Sequence, residues 1–317
     1  MATTASEVRA QVLAEGLTAR QGSAPLVRAF LTLVVYGVVA AGALALDRWW
    51  GWALAWLVMG FLLLGAVGAL HESVHGNLAR RWGVNGTAGL VAASLLLIPY
   101  DSYRWYHLAH HAATATPPDP EGDNTVPSRL MYLLLPIGGI WFWGELWSHG
   151  IGALLGRPPR WVRTAGQRRS LRRRTLIAAV VLAGAVVASV AEPLVWRLWI
   201  VPTVVLLVVF LPIVVLPEHY GAYDDGRGDP LDVTRTVVSN PVVRAVFWNT
   251  NFHAAHQFAP RVPAHRLPRL DQLVQPVQPP RWRSPSYRAW HRALFRSLPW
   301  RAAATPGAVN DGVAAVR

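Results

Sequence analysis

The apolar residues of this chain run rather than alternate. Leu26 to Leu46, Trp50 to Leu70, Thr175 to Ala191 and Leu194 to Leu216 are long stretches with almost no ionisable groups. Each is near the roughly 20 residues that a helix needs to cross the hydrocarbon layer of a membrane. Two further runs break that pattern. Thr87 to Tyr100 is short for a span, and Met131 to Leu155 is interrupted by Pro136, Gly138, Gly139, Glu145 and His149, so both are expected to be interfacial or re-entrant. The pattern predicts an all-α integral membrane protein with four transmembrane helices in two hairpins and interfacial helices between them.

Arginines orient these hairpins. Arg157, Arg160, Arg163, Arg168, Arg169, Arg172, Arg173 and Arg174 crowd the stretch before the third span, and Arg9, Arg20 and Arg28 flank the first. Cationic loops stay on the cytoplasmic side, which places both termini there and turns Asp47-Arg48-Trp49 and Glu192-Pro193 outward. The first run has no small-residue cleavage site before a polar region, so it is expected to be retained as a span rather than removed as a signal peptide. The expected location is the cell membrane, multi-pass. Residues 1–25 form a cytoplasmic segment, 26–301 one membrane domain and 302–317 a small, polar tail expected to be disordered.

Composition narrows the chemistry. Apolar residues make up 53% of the chain, charged residues 15%, and sixteen tryptophans accompany the runs, reading mostly as interface anchors. The net charge of +13 is explained by arginines beside spans facing anionic headgroups, so membrane lipids are the expected partners and nucleic acid is not. With no cysteine, thiolate-ligated clusters and disulfides within the chain are excluded. Any metal must be held by nitrogen and oxygen.

Histidines supply that nitrogen in three clusters, each at the end of an apolar stretch: His71-Glu-Ser-Val-His75, His107-Leu-Ala-His110-His111 and His253-Ala-Ala-His256-Gln257. With His219 they use eight of the 11 histidines. Spacings of three and four put side chains on one helix face. A shuffled chain of this composition holds a His-x-x-x-His about 0.4 times, and a His-x-x-His-His only about once in a hundred chains. Under the charge-based topology all three clusters fall on the cytoplasmic side, in a histidine-rich cap, and can converge. Eight imidazoles exceed the needs of one zinc site and point to two metal ions; iron is the expected metal, because a histidine-held iron pair can bind and reduce dioxygen.

At these clusters the chain resembles the membrane fatty acid desaturase superfamily, which includes related hydroxylases and ketolases. The resemblance runs from about His71 to Leu270. Besides the clusters it rests on Pro217-Glu-His219-Tyr, Thr234-Arg-Thr-Val-Val-Ser-Asn240, Trp248-Asn249 and Pro260-Arg-Val-Pro263-Ala-His265-Arg-Leu-Pro268. It implies a di-iron, dioxygen-dependent enzyme that desaturates an acyl chain or related lipid, with metal ligands His71, His75, His107, His110, His111, His219, His253 and His256. The third cluster departs from the family pattern, which ends in two adjacent histidines. Gln257 stands in the last position and is a candidate oxygen ligand. Glu72, Asp101, Glu218 and Asn249 are candidates to orient ligands from behind, with Asp119, Asp123 and Asn251 also considered. Two electrons per cycle would come from a separate ferredoxin-like or cytochrome-like donor with its reductase, steered by the arginine-rich face around Arg172 to Arg174.

Other readings use less of the chain. His71-Glu-Ser-Val-His75 fits the His-Glu-x-x-His pattern of zinc proteases, but that leaves five clustered histidines without a task. A hydroxylase or ketolase on the same scaffold begins with the same hydrogen abstraction. A non-catalytic metal carrier would place ligands inside the spans, which are nearly free of them. His265 reads as structural and His291 as a surface residue.

Overall fold

The computed structural model describes residues 4–19, 24–223 and 229–301; the tail expected over 302–317 lies outside them. The regular structure of the described residues is helical apart from two two-residue strands. Helix α1 is Ala5–Ala14, α2 is Ala24–Leu46, and α3 (Trp49–Leu62) continues into α4 (Leu64–His75). Then come α5 (Trp82–Leu95), α6 (Tyr100–Ala113), α7 (Arg129–Leu133), α8 (Leu135–Leu154) and α9 (Ala165–Ala191). A last long helical stretch, Pro193–His219, precedes short helices ending with Tyr287–Ser297.

Four helical stretches are long and apolar enough to cross a membrane: Ala24–Leu46, Trp49–His75, Ala165–Ala191 and Pro193–His219. They match the four predicted runs. Their outer faces are apolar, with Phe30, Leu33, Val38, Val180 and Val187 all exposed, an arrangement stable against lipid but not against water. The short fifth run forms α5, which bends by 108° into α6, as a broken span or re-entrant loop does. Helix α9 begins ten residues before the apolar run, because Thr164 and Gln167 form a reciprocal cap at its start and arginine is a good helix former. Five of the arginines read as a loop (Arg168, Arg169, Arg172, Arg173 and Arg174) are therefore helical.

The chain forms two compact units. The span unit comprises Gln21–Ala109 and Gly138–Leu211. Lipid tails are as apolar as leucine, so its helices hold together by close packing and hydrogen bonds rather than by burial from water. The Tyr36 hydroxyl donates to Leu198 O at 2.6 Å, Trp56 Nε1 to Arg197 O at 2.9 Å, and Trp143 and Trp147 both donate to Leu97 O, at 3.0 and 2.9 Å. These tryptophans tie helices to one another. Gly139 permits the tightest approach: a Cβ there would lie 1.8 Å from Leu207 O.

The loop-rich unit comprises Met1–Arg20, His110–Ile137 and Pro212–Arg317. Its core gathers Val126, Leu216, Tyr220, Trp290, Leu294 and Leu298, and burying each of these large side chains contributes roughly 1.5–3 kcal/mol. A parallel strand pair registers Thr236 with Arg283 and Val237 with Ser284. Next to it the buried Arg235 lies 5.0 Å from the centre of the Trp282 ring and donates to Arg281 O. Burial pulls its guanidinium down to about 10. His291, read as a surface residue, is 9% exposed and bonded on both sides to Tyr132 and Ile213. Its neighbours Arg288 and Arg292 suggested exposure, but a helix one face of which is buried hides every third or fourth residue.

Candidate metal centre

Within the span unit, α4 ends on the first histidine cluster. His71 and His75 stand one turn apart, and Gly76, at φ +71°, closes the helix immediately afterwards. His107 comes from α6. One ring nitrogen from each of these three lies within 4.8 Å of the others. Their ring centres are 4.7, 5.0 and 5.1 Å apart, and His75 Nε2 faces His107 Nε2 at 3.0 Å.

Within the loop-rich unit, the last turn of α6 presents His110 and His111, Pro193–His219 ends on His219, and helix His253–Phe258 opens on His253 and carries His256. The approach to that helix is strained. Trp248 and Asn249 both have left-handed backbones, at φ +53° and +56°, which costs roughly 1–3 kcal/mol per residue. Side chains hold the bend: Asn249 Nδ2 donates to Ala264 O at 2.9 Å and Asn251 Nδ2 to Val237 O at 2.8 Å.

Ring nitrogens of His110, His219 and His253 lie within 4.8 Å of one another. His219 Nε2 is 3.2 Å from His253 Nε2, and His111 Nε2 is 3.0 Å from His256 Nε2. The outer nitrogens decide what the inner ones offer. His110 Nδ1 donates to both Asp119 oxygens at 3.0 Å, and His219 Nδ1 donates to Val233 O at 2.9 Å. A neutral imidazole protonated at Nδ1 presents a bare lone pair at Nε2, so both rings direct lone pairs inward. There each can accept a hydrogen bond or bind a cation. An imidazole set backed by a carboxylate and a carbonyl is the donor chemistry that fits a metal ion.

Gln257 belongs to this group. Its Nε2 lies 2.8 Å from His110 Nε2 and 3.5 Å from His253 Nε2, while its Oε1 accepts the Thr114 hydroxyl at 3.3 Å. In this orientation the amide nitrogen faces His110. The oxygen would face the histidines only with the amide turned over.

The expected orienting residues divide. Glu72 Oε1 is 3.7 Å from His71 Nδ1, and Glu218 Oε1 is 3.6 Å from His253 Nδ1, both beyond a good hydrogen bond. Asp101 instead binds Arg174 at 2.9 Å, and Asn249 braces the backbone. Asp119 is the carboxylate that engages a ligand. It is held by the backbone N–H of Ala115 at 2.8 Å and of Glu121 at 3.0 Å. Sequence reasoning missed Glu121, Val233 and Thr114. Glu121 Oε2 is 3.6 Å from His110 Nδ1, and burial pushes its carboxyl up. Its place two residues after Asp119 was the only signal for it, and a backbone carbonyl such as Val233 O leaves none.

The profile of the family described as fatty acid desaturase matches residues 47–289. An endoplasmic reticulum omega-3 fatty acid desaturase of Vigna radiata var. radiata is 29% identical over 79 residues, covering 25% of this chain and 21% of that protein. A Delta(12) fatty acid desaturase of Mortierella isabellina is 35% identical over 69 residues, covering 22% and 17%. The Arabidopsis thaliana acyl-lipid omega-3 desaturase (cytochrome b5) of the endoplasmic reticulum is 29% identical over 111 residues, covering 33% and 28%. The matched segments thus span less than a third of these relatives.

Proposed function

Because the chain belongs to the fatty acid desaturase family, we propose that it is a membrane oxidoreductase that introduces a double bond into the acyl chain of a lipid, with two iron ions as cofactor and dioxygen as co-substrate. The proposed ligands are His71, His75, His107, His110, His111, His219, His253 and His256; Gln257 is a candidate ninth, through its amide oxygen, only with the amide turned over from its present orientation. The observation that most supports this is the pair of rings, His110 and His219, whose outer nitrogens are fixed by Asp119 and Val233 O so that their inner lone pairs point at His253 or Gln257.

Iron, when bound, supplies the dioxygen chemistry that no side chain can. Two hydrogens leave adjacent methylenes, and with two electrons and two protons they reduce one dioxygen to two waters. The protein's own residues hold the donors in place. Asp119 keeps a proton on His110 Nδ1, Val233 O keeps one on His219 Nδ1, and burial of every proposed histidine ligand except the half-buried His111 limits access of bulk water.

The electrons come from a separate ferredoxin-like or cytochrome-like donor with its reductase, and the name of the Arabidopsis relative includes such a partner. Arg172 donates to Ala153 O and Arg174 is bound to Asp101. The exposed Arg163 and Arg169 are therefore the better sites for charge reversal. The site and both termini face the cytoplasm.

Anaerobic purification with metal analysis, together with lipid profiles of cells expressing the protein or His110→Ala, tests the reading. Two irons per chain, and an unsaturated lipid lost in the variant, are expected. One zinc and no iron would favour the protease pattern at His71 to His75, and identical lipid profiles would remove the desaturase reading.

A further inference from the structure

A cavity of about 500 Å³ opens in the span unit, apart from the histidine nitrogens but on the same helices. That is within the range of small-ligand sites, roughly 300–1,000 Å³. Its walls come from the end of α4, the first turns of α5, the start of α6 and the basic part of α9. Ser73, between His71 and His75, reaches it, and Arg104, three residues before His107, lines it.

The lining is cationic. Arg104, Arg173 and Arg174 all border the cavity, and the one carboxylate in contact with them is Asp101, bound to Arg174 at 2.9 Å. Among the described residues neither Arg104 nor Arg173 has a carboxylate partner, and Arg104 Nε is buried without a hydrogen bond. Arg104 is held instead against the Trp105 ring, 4.6 Å from its centre. Trp82 and Gly83 open α5, whose start has no side-chain cap, so the positive end of a 14-residue helix adds to the same field. Three guanidiniums and a helix start against one carboxylate make a site for an anion.

Part of the lining is apolar. Trp82, Leu90 and Ile177 line it, and on α9 Ile177 continues into the exposed Val180. A ligand seated here meets arginines and, one turn further along α9, a lipid-facing helix surface. A wholly polar anion would use only half of that.

We infer that this cavity holds the phosphate headgroup of a phospholipid from the surrounding bilayer. The binding does not depend on the desaturase reading. The two guanidiniums without acidic partners take the phosphate oxygens, Arg174 stays fixed on Asp101, and the acyl chains leave along the Ile177 side.

The test is binding of short-chain lipids to the purified, iron-loaded protein by isothermal titration, beside inorganic phosphate and octanoyl coenzyme A. Wild type should bind dihexanoyl-phosphatidylglycerol at least ten-fold more tightly than dihexanoylglycerol. Arg104→Gln/Arg173→Gln should lose that preference with iron content unchanged. Arg173→Gln alone, at an exposed position that the fold tolerates, should weaken it about three-fold or more. No preference in wild type, or a preference intact in both variants, overturns the site. Tighter binding of the coenzyme A thioester, or of inorganic phosphate alone, overturns the lipid as its source. Should binding behave as expected while the cells show no unsaturated product, the desaturase reading fails and the phospholipid site stands.

Discussion

At the scale of single residues, this site depends on which nitrogen of each imidazole carries its proton. Asp119 fixes that for His110. Asp119→Asn can accept through only one oxygen, and the loss of the charged partner lowers the basicity of the ring, so retention of the metal should fall about 10- to 100-fold. Iron loss from purified protein during chelator challenge measures this; an unchanged rate would mean that Asp119 serves the loop alone. Gln257 makes a sharper case. If its amide oxygen is a ligand, Gln257→Ala should release iron faster than wild type, whereas equal rates would take Gln257 out of the set. The sequence made the histidines legible, because spacings of three and four are local. It did not separate Asp119 from Asp101, which look alike until Arg174, 73 residues away, is seen to occupy the latter.

At the scale of elements, two contacts carry testable consequences. Helix α8 passes so close to Leu207 that Gly139→Leu must push backbone apart. Overpacking of this kind costs typically 1–3 kcal/mol, and a lowered midpoint of thermal unfolding in detergent should report it. The last helix offers a pH effect. His291 Nε2–H donates to Ile213 O at 2.8 Å while Nδ1 accepts the Tyr132 hydroxyl at 2.9 Å, an arrangement only the neutral ring completes. Burial lowers its pKa, and the bond to Ile213 opposes that only in part. The unfolded ring takes its proton near pH 6.5, before the folded one does. Stability from this residue is therefore complete above about pH 6.5 and declines as pH falls from there toward the folded value. Unfolding scans from pH 7.5 to 5 should show a shallower decline in His291→Gln, and parallel curves would contradict the assignment. Apolar runs announced the long helices. The start of α9 escaped because a capping pair, not hydropathy, sets it.

At the scale of the whole molecule, the open prediction is orientation. The natural chain has no cysteine, so single cysteines report without background. Arg160→Cys, in the loop before α9, should react with an impermeant maleimide only when the cytoplasmic side is accessible, and Glu192→Cys only from the outside. The reverse pattern would invert the topology drawn from the arginines, and with it the cytoplasmic placement of the metal ligands.

What the chain determined by itself is whatever depends on neighbours within a few residues: four apolar stretches long enough to span, the three histidine clusters, the absence of thiolate and the family pattern. Helix periodicity and span length are local properties, so sequence carries them. Tertiary structure decided the rest. It set His219 facing His253, gave Asp101 to Arg174 and Asp119 to His110, left Arg104 and Arg173 around a cavity without acidic partners, and buried His291. Each of these depends on which polar group meets which when distant segments pack. Because a buried charge or lone pair must find a partner among whatever the fold brings near, that choice is made in space and not along the chain.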